Sequence, residues 1–156
     1  MYKFISFVDL RNRPREEFAE KLREGAITIW VDNDTPFGHS AVEAIACDNI
    51  LIGKVPEMVP EWMIDEDGGL NDCGIWTYDI NVIPDLLANV VGAWMQDMVP
   101  EQLTNAMNEV NAKYTVDKWE ENVDGVMSTI INEQIKSFEQ IKNSIKQKIT
   151  NETKED

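Results

Sequence analysis

Two short apolar runs, Ala26-Ile27-Thr28-Ile29-Trp30-Val31 and Ile50-Leu51-Ile52, stand on either side of a Pro/Gly turn and an Ala-rich segment. Each is too short for a helix and carries too little polar alternation for a strand with one wet face. Both therefore predict strands covered on both sides. Between them, Asp34-Thr35-Pro36-Phe37-Gly38-His39-Ser40-Ala41-Val42-Glu43-Ala44-Ile45-Ala46-Cys47 predicts a turn followed by a short helix. Strand, turn, helix and strand make a parallel βαβ unit. Upstream, Lys3 to Val8 predicts another strand, and Phe18 and Leu22, one helical turn apart, mark a helix that Pro14 opens and Gly25 stops. Lys54 to Asn71 is a loop rich in Pro, Glu and Gly, and Gly74 to Tyr78 a short strand. Pro84 opens a helix to about Gln96 with Leu87, Val90, Val91 and Trp94 on one face. Pro100 opens another through Leu103, Met107 and Val110. The fold class these elements predict is α/β.

From Trp119 onward the pattern changes. Proline is absent, Gly125 is the one glycine, and Val123, Met127, Ile130, Ile131, Ile135, Phe138, Ile141, Ile145 and Ile149 repeat at helical spacing. A long C-terminal helix follows, ending in a polar, fraying tail from Asn151 to Asp156. Residues 1–118 are expected to form the α/β domain and residues 119–156 the helical extension. The stripe needs a partner, either the chain's own domain or a second copy.

Composition narrows the partners. Lys and Arg number 14 against 29 Asp and Glu, for a net charge of -15. Nucleic acid and anionic membrane surfaces reward the opposite sign, so neither is expected as a ligand. No run approaches the ~20 apolar residues of a membrane span, and the N-terminus lacks the pattern of a signal peptide. Cys47 and Cys73 have no metal-ligand spacing and fit buried free thiols in a reducing, cytoplasmic compartment.

The turn at Phe37 to Ser40 carries the candidate chemistry. It lies at the carboxyl end of a strand, the place where open α/β sheets bind ligands. A helix starting near Gly38 leaves backbone N–H groups free at the positive end of its dipole, which suits a phosphate. Gly38, without a Cβ, would let a ligand approach closely. Glu43, in apolar company along the sequence, could hold paired sugar hydroxyls. Ser40 and Glu43 also have the spacing of a capping box, which would occupy both side chains internally. His39 could donate to a phosphate or lie exposed. A single histidine excludes histidine-rich metal sites, and no Ser/His/Asp triad can be assembled.

Phe37-Gly38-x4-Glu43-Ala44-Ile45-Ala46-Cys47 resembles the "FG…EAMACG" segment of retaining GT-B glycosyltransferases of the family-4 type. The likeness continues in order. Phe7 to Leu10 with Arg15 to Phe18 resembles the strand and helix before that motif, and Pro60-Glu61 the Pro-Glu of the loop after it. Ile83 to Val110 resembles the two helices beyond, and Tyr114-Thr115-Val116-Asp117-Lys118-Trp119 the "fsWe" element. Residues 2 to 123 are covered.

The resemblance implies a Rossmann-like parallel sheet, part of the C-terminal, nucleotide-sugar-binding domain of a GT-B enzyme. It implies transfer of a hexose from a nucleoside-diphosphate sugar to an acceptor hydroxyl, with retention and without metal or other cofactor. Phe37, Gly38, His39 and Ser40 would hold the diphosphate, Glu43 the ribose, and Lys54 and Glu61 would line the donor site. Thr35 stands where the family has a sugar-gripping Glu, and Asp48-Asn49 where it has Gly-Thr or Gly-Asn. Upstream Arg and Lys that neutralise the diphosphate have no counterpart. The acceptor half would come from a partner chain, and the open sheet edge and C-terminal helix would serve association, with an acceptor chain or in a homo-oligomer. A non-catalytic partner subunit is the alternative.

Overall fold

A computed structural model gives the backbone of residues 5–152 and the side-chain surroundings of residues 5–145. The two apolar runs form strands β1 (Ile27–Trp30) and β2 (Ile50–Lys54), joined through helix α2 (His39–Ala46) after helix α1 (Arg15–Glu24). Strand β3 (Ile75–Thr77) follows, then helices α3 (Ile83–Met95), α4 (Glu101–Lys113) and α5 (Val116–Glu152). Glu61–Met63 and Ile80–Val82 are single 3-10 turns.

The sheet is parallel, in the order β1-β2-β3. Ile27 pairs with Ile50 and Trp30 with Gly53, and Ile52 pairs with Ile75. From Ile50 to Gly53 every residue of β2 is buried, as a central strand covered on both faces requires. Helices α2 and α3 pack on β2, and α4 packs on α2. The core is built from Ala44, Ile45, Leu51, Ile52, Met63 and Cys73, with Val90, Leu103, Met107 and Val110 from the later helices.

Two expectations fail here. Residues Ile5 to Val8 form no strand, and Phe7 is 65% exposed. Apolar, β-prone residues make a strand only when a ladder partner accepts them. Lys3 and Phe4 of that expected strand lie outside the described residues. The face expected on α3 also divides, with Val90 and Val91 buried while Trp94 remains exposed.

One buried polar residue ties the elements together. Asn49 is 1% exposed. Its Nδ2 donates to the carbonyls of Leu22 (2.7 Å) and Cys47 (3.1 Å), and its Oδ1 accepts from Thr28 Oγ1 at 3.1 Å. The ends of α1 and α2 are thus pinned to β1. Gly25 is extended rather than left-handed, so it does not end α1 by the usual glycine turn. Close approach explains it: a Cβ there would stand 2.8 Å from Asn49 Oδ1.

The chain falls into two units, one up to Tyr114 and one from Thr115. The second consists of α5, a 37-residue helix. Ile131, Phe138, Ile141 and Ile145 of α5 are all at least half exposed. Among the described residues, no helix is long and apolar enough to cross a membrane.

Candidate functional site

The turn between β1 and α2 is organised by Asp32, a residue that the sequence reading passed over. Its carboxylate accepts from the backbone N–H of Asp34 (2.9 Å) and Thr35 (3.2 Å) and from the Thr35 hydroxyl. The Thr35 hydroxyl, then the Asp34 amide, favour the ionised form and hold the Asp32 carboxyl below its usual range. An Asp just after a strand and before Asp-Thr-Pro is the pattern of an Asx turn, and it was there to be read. The hydroxyl of Thr35 is engaged inside this turn.

Gly38 then starts α2 from the left-handed region, at φ 71° and ψ 48°. The expected capping box does not form. Gly38 is the cap residue, Ser40 lies inside the first turn, and no side chain bonds the helix end. A left-handed Gly at the cap places its own carbonyl to accept from Ala41 (2.9 Å) and Val42 (3.3 Å). Among the described residues, the backbone N–H groups of His39 and Ser40 have no partner. The helix start keeps its free donors and dipole without any side chain across them.

The space that a Cβ of Gly38 would fill is already occupied by protein. Such an atom would lie 2.8 Å from Trp30 Cζ2 and 3.2 Å from Trp30 Cη2. The glycine therefore serves packing against an indole. Trp30, Trp62 and Trp76 form a cluster with ring centroids 5.9 to 6.4 Å apart. Trp62 Nε1 donates to the Phe37 carbonyl at 2.5 Å, and Trp76 Nε1 to the Asn71 carbonyl at 3.0 Å. Trp30 Nε1 is buried with no acceptor among the described residues. Trp30 and Trp62 brace the turn directly, and Trp76 packs against both.

Glu43 is exposed, which corrects its expected apolar setting. Its sequence neighbours Ala41, Ala44 and Ile45 are buried, but on the other side of α2. The carboxylate has no hydrogen-bond partner among the described residues. His39 is exposed at the first helical position, its ring 4.7 Å from that of the half-buried Phe37. Phe37 also meets Tyr114 edge-on at 5.3 Å. Lys54, at the end of β2, donates to Asn33 Oδ1 at 3.0 Å, bringing a cation to the rim of the same turn. Glu61 accepts from the Tyr114 hydroxyl at 2.7 Å, and burial, reinforced by this carboxylate, raises the Tyr114 phenol above its usual range. Sequence spacing gave no sign of that pair.

Beside the turn, along the open edge of β1, runs a groove of about 980 Å³. Phe7 to Leu10, Ile27 to Asp32, Ser40 and the α3 residues Leu87, Val91 and Trp94 line it. The structure thus joins Ser40 and Phe7 to Leu10 at one groove. Thr35, Phe37, Gly38, His39, Glu43, Lys54 and Glu61 are not among its lining residues. Arg11 at the groove is bound to Asp9, which its guanidinium holds at about 2. Among the described residues, no cluster of His, Cys, Asp and Glu could hold a metal ion. Compared with known proteins, the chain matches no family model, no curated protein and no solved structure.

Proposed function

We propose that the α/β unit is a nucleotide-sugar-binding domain of the retaining GT-B glycosyltransferase kind. It would bind a nucleoside-diphosphate hexose whose sugar passes to an acceptor hydroxyl held by a separate domain or chain. The observation that carries this reading is the uncapped start of α2 at the carboxyl end of β1, with the His39 and Ser40 amides free. An anion placed there gains those donors and the helix dipole together. In the reaction the glycosidic bond breaks toward the diphosphate, so negative charge grows on the leaving group, where fixed amide dipoles stabilise it.

The other residues take roles around that anchor. Glu43, exposed and without a protein partner, is free to accept from the ribose diol. The groove beside Ser40 takes the base against Phe7 to Leu10. Lys54 and His39 supply the nearest positive or neutral donors at the turn, while Thr35 contributes its backbone position rather than its hydroxyl. Asp48 supports the resemblance. It holds φ 60°, a conformation that glycine prefers, at a position where the resembled family carries Gly.

The engaged Thr35 hydroxyl favours a second reading, that of a non-catalytic partner subunit. Calorimetric titration with UDP and GDP separates the two. Saturable binding, weakened tenfold or more by Glu43→Ala with the fold intact, supports the donor site. No binding at millimolar nucleotide refutes it and leaves the partner-subunit reading. A Glu43→Ala variant that loses stability at unchanged affinity would make Glu43 a structural residue.

A further inference from the structure

The apolar face of α5 has a partner written into its own charge order. Val116, Trp119, Val123, Val126, Met127, Ile130, Ile131, Ile135, Phe138, Ile141 and Ile145 all fall within one half of the helix at 100° per residue. All eleven are at least 37% exposed. Acidic side chains gather in the first turns of the helix at Asp117, Glu120, Glu121 and Asp124. Along the sequence of its second half basic residues prevail, Lys136, Lys142, Lys146 and Lys148 against Glu139 and Glu152. A parallel pair would set like charges side by side, whereas an antiparallel pair sets acid against base.

We propose that α5 pairs antiparallel with α5 of a second copy of this chain, about a two-fold axis near Asn132 and Glu133. With the axis there, three apolar pairs meet, Trp119 across from Ile145, Val123 from Ile141, and Met127 from Phe138, while Gln134 is the polar residue at the centre of the face. Ile131 and Ile135 meet their counterparts beside the axis. On one flank of the seam Asp124 faces Lys142. The apolar and charged pairs place the axis within one residue of each other, which makes the surface self-complementary in the way a two-fold interface requires. The pairing stands on the second unit alone and holds whichever ligand the α/β unit takes.

The test uses the full chain. Sedimentation equilibrium should give twice the 17.8 kDa chain mass. Phe138→Glu should weaken association about thirtyfold or more, as loss of a central anchor does, with tryptophan emission of the α/β unit unchanged. Direction is read from cysteine pairs in a Cys47→Ser background. Cys73 is kept there, because it is fully buried and burial pushes its thiol up to about 12. Mixed Trp119→Cys and Ile145→Cys chains should form a disulfide-linked heterodimer, while neither links to itself. A monomer or trimer mass, or self-linking of Trp119→Cys, would overturn the proposal.

Discussion

Gly38→Ala is the sharpest test of how the α2 turn is held. Two costs act at once. The backbone sits at φ 71°, in the left-handed region, where a Cβ costs about 1–2 kcal/mol. The new methyl would also stand 2.8 Å from Trp30 Cζ2, on a tryptophan only 5% exposed. Displacing a packed indole costs about 1–3 kcal/mol. Together they give about 2–5 kcal/mol, a large share of the about 5–15 kcal/mol that holds a domain folded. Urea unfolding followed by tryptophan emission reads the change directly, since the displaced ring belongs to the reporting cluster. Gly92→Ala is the control. It lies within α3 with no atom near the added methyl, and should gain up to about 1 kcal/mol from helix propensity. Gly38→Asn divides the two costs, because Asn tolerates the left-handed region but still strikes Trp30. A Gly38→Ala loss under about 0.5 kcal/mol, the size of an ordinary surface change, would refute the packing account. Full recovery in Gly38→Asn would leave the backbone cost standing and remove the indole.

Asn49→Ala removes three hydrogen bonds and leaves the Cys47 carbonyl without its donor, while the Leu22 carbonyl keeps only the Gly25 N–H. It should cost about 2–4 kcal/mol in thermal or urea unfolding, with Asn49→Asp no better because a carboxylate cannot donate to them. Asp32 has a folded pKa below its ordinary 3.8, so its contribution is present above that value and lost as pH falls through the folded one. Asp32→Asn should therefore cost about 1 kcal/mol at neutral pH and nothing at low pH. Unfolding curves of the two proteins should converge below pH 3.8, and parallel curves would refute the role given to its charge.

Local pattern revealed what local physics decides. The run at Ile50 is a buried strand because no polar residue interrupts it and it is covered on both faces. The run at Ile27 is also a strand, but at the edge of the sheet it is only half-buried, with Ile29 41% exposed. Helices α3 and α4 announced themselves through Pro84 and Pro100. The strand expected at Lys3 to Val8 failed over its described part because propensity cannot supply a missing ladder partner. The capping box failed because the helix starts at Gly38, two residues before Ser40, which places Ser40 inside the first turn rather than at the cap. Glu43 looked buried in sequence because neighbours along a helix point in different directions. The residues missed altogether depend on distance. Asn49 bonds Leu22 and Thr28, Glu61 meets Tyr114, and Trp30 underlies Gly38, and none of these pairings leaves a trace in a local window.

The bare edge of β1 has a consequence for handling and for survival in the cell. Among the described residues no strand pairs with the outer edge of β1; such an edge flanked by apolar surface is a template for other strands, and Ile29 and Val31 there are each more than 40% exposed. Nothing in the edge itself blunts this: β1 contains no proline and no lysine. The guard is instead global, a charge of -15 that opposes edge-to-edge contact in dilute salt. That guard weakens as the carboxylates protonate and vanishes near pH 4.3. Colloidal stability and fold stability thus part company. Mild acid brings open edges together while the core beneath them is still intact, and precipitation there would be assembly of native chains rather than a sign of unfolding.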